Sequence, residues 1–339
     1  MNINAENDKR STPPSGSVDI GVVFRKTLGH YTVHSDGRAI DCTLSSLIHK
    51  QLIFPTADPT SLRHTVQKVR EVDHVDPVAI GDHVRYVDAG ASRGMIVEVL
   101  PRHSKLSRPA PVPGQRVFEQ VIVSNPDLIL PVFSAANPTP KWGLLDRYLV
   151  SAEAAGLPAL IVINKLDLAW KNAELDEEVE IYRRIGYPVL LVSALTGQGI
   201  EELKQALQGK LSVMVGKSGV GKTSLLNAIQ PGLGLRVKAV SNREIGKGRH
   251  TTTHLEMFEL GFGGTIVDTP GMREFGLWDI AAEELADLFP EMAEHIGRCR
   301  FGLSCQHDRE PGCSIRKAVM AGTISPYRYQ SYMRLREEL

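Results

Sequence analysis

The run Gly216-Lys217-Ser218-Gly219-Val220-Gly221-Lys222-Thr223 has the spacing of a phosphate cradle. Glycines let successive main-chain N–H groups converge on phosphate oxygens with no Cβ in the way. The lysine reaches the β- and γ-phosphates, and the hydroxyl after it is a Mg2+ ligand. An apolar run, Leu211–Val215, precedes the cradle, and a helical pattern, Ser224–Ile229, follows it. That is the strand–loop–helix context in which the helix N-terminus faces the anion. A Gly-rich turn of no function is the bland alternative, and this context argues against it.

A second group of residues bears on the base. Asn164-Lys165-Leu166-Asp167 follows the buried run Ala159–Ile163. A carboxylate there accepts two hydrogen bonds from guanine N1–H and the exocyclic amine. Adenine lacks that donor pair and would leave a buried Asp167 unsatisfied. Asn164 and Lys165 would brace base and phosphate loop, and a backbone N–H of Ser193-Ala194-Leu195 would lie near guanine O6. Alone, each is weak, since a charged loop after a strand is common. Three such motifs at successive strand ends fit the rule that ligands sit at the carboxyl ends of parallel strands.

Asp268-Thr269-Pro270-Gly271 follows the β-like run Thr265–Val267. Asp268 would bind Mg2+ through water, and the Gly271 N–H would meet the γ-phosphate. Gly248-Arg249-His250-Thr251-Thr252-Thr253-His254 lies between the cradle and this strand, and Thr252 is the threonine expected to close over Mg2+. Such segments order around a triphosphate and relax after hydrolysis. Many GTPases place a water-orienting glutamine after this glycine, but here Met272 stands there. Either intrinsic hydrolysis is slow or another group orients the water, and His250 is the nearest candidate. Arg236, Lys238, Arg243, Lys247 and Arg249 stand against one acid, Glu244, in the same stretch. An RNA-phosphate contact made by the switch is the functional reading of that patch, and a solvated loop is the bland one.

A third cluster is metal chemistry. Cys299, Cys305, His307 and Cys313 offer three thiolates and one imidazole within fifteen residues. This is the closed ligand set of one structural, tetrahedral zinc, with no open position for catalysis. Cys42 stands apart and is expected to be buried.

The elements around these motifs follow from composition and periodicity. The chain has 339 residues, enough for two or three domains. Its 42% hydrophobic and 23% charged residues exclude a mostly disordered chain, and 30 glycines with 20 prolines exclude collagen. Lys+Arg 39 balances Asp+Glu 39, so any nucleic-acid contact rests on local patches. No apolar stretch approaches the roughly 20 residues of a membrane span, so no membrane partner is expected. The opening MNINAENDKRSTPPSGS has no apolar core and is no secretory signal, so a cytoplasmic location is expected.

Residues 1–17 read as a disordered tail. Residues 18–113 carry short strands (Ile20–Phe24, Tyr31–Val33, Ala39–Cys42, His83–Val87, Met95–Leu100) of a small barrel or sandwich, interrupted by an irregular insertion over 50–78. From 114 to 278, strands alternate with helices, which predicts a parallel, doubly wound α/β sheet covered on both faces. From 279 to 339 a helix over 279–296 capped by Asp279, the Cys/His cluster and a helical tail with Arg328, Tyr329 and Tyr332 are expected. The base motifs at 164 and 193 precede the cradle at 216, the reverse of Ras-like GTPases. The same site assembles if the domain is circularly permuted, and DTPG then joins directly to the C-terminal module.

The order NKLD, SAL, GKSGVGKTS, GRHTTTH, DTPGMREFG and then C…C-x-H…C resembles the RsgA/YjeQ family of circularly permuted, small-subunit ribosome biogenesis GTPases, over roughly residues 18–335. The resemblance implies an N-terminal OB-fold barrel that binds RNA, a central permuted P-loop GTPase domain and a C-terminal α-helical zinc module. It implies GTP/GDP carried by Asn164–Asp167 and by Gly216 to Ser224, His250 assisting hydrolysis, and zinc on Cys299, Cys305, His307 and Cys313. It further implies a monomer that binds the small (30S) subunit through rRNA, is stimulated by it, and acts late in its maturation. Two departures stand out: the first cysteine gap is x5 where x4 is usual, and the tail lacks the family's frequent basic run. A nucleotide-regulated RNA-binding module with negligible turnover, and an ATPase of different purpose, are the competing readings.

Overall fold

The structure is a computed structural model that describes residues 18–27, 29–49, 76–110, 118–169, 173–233, 255–269 and 277–339. The chain starts with β1 (Val18–Thr27), β2 (His30–Ser35) and β3 (Arg38–Leu44), a single helical turn α1 (Ser46–His49), then β4 (His83–Gly90) and β5 (Arg93–Val99). These five pair in the order β1-β2-β3-β5-β4 and close through β1–β4, with β3 and β5 parallel. That is an OB-type barrel, and all five strands are the ones the alternation predicts. Each strand sends alternate residues inward, as in β3, where Ile40, Cys42 and Leu44 are buried and Ala39, Asp41 and Thr43 exposed. Cys42 is fully buried there, and burial pushes its thiol up to about 12, which removes it from chemistry.

A two-stranded ribbon follows, β6 (Lys105–Ala110) with β7 (Phe118–Ser124), and the expected domain boundary at 113/114 lies outside the described residues. The second sheet contains β8 (Leu128–Ser134), β9 (Ile161–Asn164), β10 (Val189–Leu191), β11 (Leu211–Val215), β12 (Glu256–Glu259) and β13 (Thr265–Asp268). Their order is β10-β9-β8-β11-β13-β12, all parallel except β12. The cradle strand β11 is therefore central, between β8 and β13.

Helices cover both faces. α2 (Trp142–Ala154) and α3 (Ala173–Ile185) bury Leu145, Tyr148, Leu149, Leu175, Val179 and Tyr182 against one face, together with Val213 and Val215. α4 (Ile200–Leu207) and α5 (Lys222–Ile229) bury Leu203, Leu207, Leu225, Leu226 and Ile229 on the other, together with Met214. Successive strand residues thus enter different cores, which is why β8 and β11 read as unbroken apolar runs.

The C-terminal module holds α6 (Pro290–Ala293), α7 (Ser314–Met320) and α8 (Pro326–Glu337) around its own core, which also takes in Val150 of α2. Here the expected helix over 279–296 is corrected. Asp279 has φ +56° and caps nothing, a 3-10 turn spans Leu285–Leu288, and α6 starts afresh at Pro290. Proline lacks the N–H that would carry the helix through and is accepted only in a first turn. The module is tied to α2 by a buried ion network: Arg328 holds Asp146 at 2.6 Å and Glu291 at 2.7 Å. The expected tail and most of the 50–78 insertion lie outside the described residues.

Barrel and sheet are joined. Arg25 of β1 pairs with Glu256 of β12, and His34 Nδ1 lies 3.1 Å from Glu259 Oε1. Beside this seam Asp82 is wholly buried and holds Arg102 through two 2.7 Å contacts, while also accepting the Ala79 N–H. Arg102→Ala leaves that carboxylate buried without its cation and is expected to lower stability by about 3 kcal/mol. Urea unfolding followed by circular dichroism measures it; a loss below about 1 kcal/mol would place the pair among ordinary surface bridges.

Candidate functional site

Parallel strands end with free main-chain groups along one edge, and the loops beyond β8, β9, β10, β11 and β13 gather there. β9 ends in Asn164, which is 1% exposed. Its Nδ2 donates to Val220 O at 3.0 Å, and its Oδ1 accepts the Ala194 N–H at 3.1 Å. One amide thus joins the three loops that the sequence motifs single out. Ala194 N–H, a candidate to face guanine O6, is engaged by this side chain.

Lys165 adopts a left-handed φ of +62°, and a 3-10 turn over Leu166–Leu168 follows. This turn sends the Lys165 ammonium back to Gly219 O, 2.6 Å away, and to Asn137 O in the loop after β8. Burial pulls its pKa below the usual lysine range, and Asp167 opposes the shift. Asp167 is exposed, not buried as the sequence argument supposes. Its Oδ1 accepts from Ser193 Oγ at 2.5 Å, which fixes the carboxylate and leaves it open on the side where a base would cover it. Leu195, beside it, is 82% exposed.

The glycines of the cradle are required by contact as well as by φ. Gly216 has φ +152°, and a Cβ there would stand 2.3 Å from Val132 O. Gly221 has φ +94°, and a Cβ there would stand 2.3 Å from Asn164 Nδ2. α5 begins directly after Gly221, so Lys222, Thr223 and Ser224 form its first turn with main-chain N–H groups free to face an anion. Lys217, Ser218, Gly219 and Val220 complete the loop. Lys222 is only 8% exposed and donates to Gly216 O at 2.6 Å. Burial lowers its pKa, and Asp268 raises it in part.

Asp268 ends β13. Burial raises its carboxyl pKa, with Lys222 and then the Thr269 N–H opposing. Its Oδ1 is buried without a hydrogen-bond partner among the described residues. An orphaned carboxylate oxygen beside the cradle fits a hard cation with oxygen ligands, the chemistry of Mg2+. Thr269 is wholly buried and anchors the loop by donating to Met214 O at 2.8 Å. Sequence reasoning passed over this hydroxyl, and over Asn137 O. His250, Thr252, Gly271, Met272 and the basic stretch 236–249 lie outside the described residues.

The second centre lies in the C-terminal module. The ligand atoms of Cys299, Cys305, His307 and Cys313 all lie within 4.8 Å of one another, and all four residues are buried. Cys299 and Cys313 Sγ are 3.9 Å apart, and His307 Nδ1 is 3.5 Å from each. A tetrahedron with Zn–S of about 2.3 Å and Zn–N of about 2.0 Å has edges of about 3.8 and 3.5 Å, so the set fits. Burial pushes the Cys305 thiol up to about 12, so thiolates here need a cation. The ligand loop is braced from behind: Ser314 N–H donates to Cys299 Sγ, Arg316 N–H to Cys313 Sγ, and Tyr329 Oη to His307 O. Glu310 accepts the N–H groups of Gln306 and Asp308, at 2.9 and 3.0 Å.

A family model described as RsgA GTPase matches residues 99–278. The chain is 47% identical over 264 residues to the Small ribosomal subunit biogenesis GTPase RsgA of Gemmatimonas aurantiaca, covering 77% of this chain and 84% of that one. Against the protein of the same name from Moorella thermoacetica it is 40% identical over 313 residues, 92% of this chain and 94% of the relative. The crystal structure of YjeQ from Thermotoga maritima superimposes with a TM-score of 0.70 at 32% identity, covering 95% of this chain and 99% of that chain. YloQ, a circularly permuted GTPase, gives 0.64 at 27% identity, covering 98% and 97%.

Three outcomes follow from the geometry. Gly221→Ala forces the cradle away from Asn164, and is expected to weaken GDP binding at least about tenfold, as measured by fluorescent-nucleotide titration. Elemental analysis of the purified chain is expected to give one zinc per molecule. Glu310→Gln, which loosens the ligand loop, is expected to lose zinc to a chelator about tenfold faster.

Proposed function

The chain belongs to the RsgA GTPase family, and from that premise we propose that this GTP hydrolase serves biogenesis of the small ribosomal subunit. It binds the subunit through rRNA, hydrolyses GTP when docked and leaves afterwards, late in maturation. The observation that carries the reading is the Asn164 amide, which holds base loop and phosphate loop together as one guanine nucleotide site. The relatives reported above carry the corresponding name.

In this mechanism the first turn of α5 and the cradle N–H groups bind the phosphates. Lys222 releases the Gly216 carbonyl for the β- and γ-oxygens. Asp167 selects guanine, with Ser193 orienting it. A bound Mg2+ would supply charge neutralisation between the phosphates, with Thr223 and Asp268 holding it. His250, Thr252 and the Gly271 N–H complete the γ-phosphate side, with His250 orienting the water that Met272 cannot. Zinc on the four-residue cluster would supply cross-linking of the ligand loop. The barrel, the 236–249 stretch and the zinc module contact rRNA, and the protein acts as a monomer in the cytoplasm. No helix among the described residues is long and apolar enough to cross a membrane.

Phosphate release measured with purified small subunits, with large subunits and with neither tests the proposal. Small subunits alone are expected to raise the rate by about 10²-fold or more, because docking completes the water-orienting geometry. Equal rates in all three would favour a nucleotide-regulated RNA binder over a subunit-triggered hydrolase.

A further inference from the structure

The ion network beneath the C-terminal module takes no part in the reaction as described, yet it reaches the helices that carry the base loops. Arg328, 2% exposed on α8, donates to Asp146 Oδ1 at 2.6 Å and to Glu291 at 2.7 and 3.0 Å. Its guanidinium lies 4.5 Å from the Phe289 ring centroid. Tyr182 Oη donates to the same Asp146 oxygen at 2.8 Å. Asp146 lies on α2 and Tyr182 on α3, so one carboxylate oxygen joins both helices to the zinc module. Trp142, at the start of α2, adds a ring contact to Tyr182 at 5.7 Å.

Those two helices frame guanine recognition. The loop entering α2 presents Asn137 O to the Lys165 ammonium. The chain entering α3 carries Asp167 on its 3-10 turn. The phosphate cradle hangs from the opposite side, since α5 packs into the core on the other face of the sheet. Shifting α2 against α3 would therefore act first on the base loop, and reach the cradle only through the Asn164 and Lys165 hydrogen bonds to Val220 O and Gly219 O.

We infer that Arg328, Asp146 and Tyr182 are positioning residues for guanine selectivity: the zinc module clamps α2 to α3 and so fixes Lys165 and Asp167. The planar guanidinium fork fixes direction as well as charge. It also keeps Asp146 from standing as a lone buried anion. The inference rests on Asp167 as the base-reading group.

The test compares GDP with inosine diphosphate, which lacks the exocyclic amine, in the full-length wild type and in Tyr182→Phe and Asp146→Asn. Both substitutions keep the side-chain shape, and Tyr182→Phe removes one hydroxyl only. The expected result is a rise of about three- to tenfold in the GDP dissociation constant, the size of one lost hydrogen bond, with a smaller rise for inosine diphosphate, which keeps the N1–H contact but has no amine to lose. KM for GTP rises in step while kcat at saturation is unchanged. An unchanged GDP-to-inosine preference, or equal losses for both nucleotides, in a folded Tyr182→Phe protein would overturn the inference. A wild type with no preference for GDP would instead overturn the reading of Asp167 itself.

Discussion

Everything at the sheet edge depends on one buried amide. Asn164 must donate to Val220 O and accept from Ala194 N–H at once, and it does so at 1% exposure. Removing it would leave the buried Val220 carbonyl unpaired, at about 1–3 kcal/mol, and free the partly buried Ala194 N–H. The tight contact also explains Gly221, where no Cβ fits against the amide. Loops from β9, β10 and β11 thereby become one site, although the chain reaches the base loops before the cradle.

The permuted order has a mechanical consequence. β13 ends in Asp268, Thr269 follows it, and in sequence the chain then runs into the C-terminal module. β12, between the expected switch segments, is the edge strand that pairs with β1 of the barrel. Both flanking modules are therefore attached to the β12–β13 side of the domain, one by covalent continuity and one by strand pairing. The zinc module has a second attachment, through Arg328, to the helices on the base side. A body held at two sides of a nucleotide site can report on the state of that site without a long relay.

Alternation in β1 to β5, apolar runs in β8 and β11 and the helical periods of α3 and α4 carry enough local information to place these elements within three residues at each end. The break at Pro290 overrode an apparently helical stretch because one missing N–H outweighs favourable periodicity. Asp167 looked like a buried group because the argument for base selection assumed the base above it; its exposure depends on what covers it. Arg328 read as one residue of a helical tail, since nothing local marks a residue whose two carboxylates lie 37 and 182 positions away.

The sequence by itself determined which candidate groups the chain offers: a glycine loop with Lys222 suited to phosphates, Asp167 suited to guanine, and three thiols with an imidazole suited to a tetrahedral ion. Such motifs are short, and their meaning is fixed by residue type and spacing along a few bonds. Only the tertiary structure decided which loops share an amide, which strand joins the barrel to the sheet and which buried charges lock α2, α3 and α8 together. Those choices are made by contacts between residues far apart in the chain, where burial makes every unpaired polar group costly and so leaves one arrangement favoured.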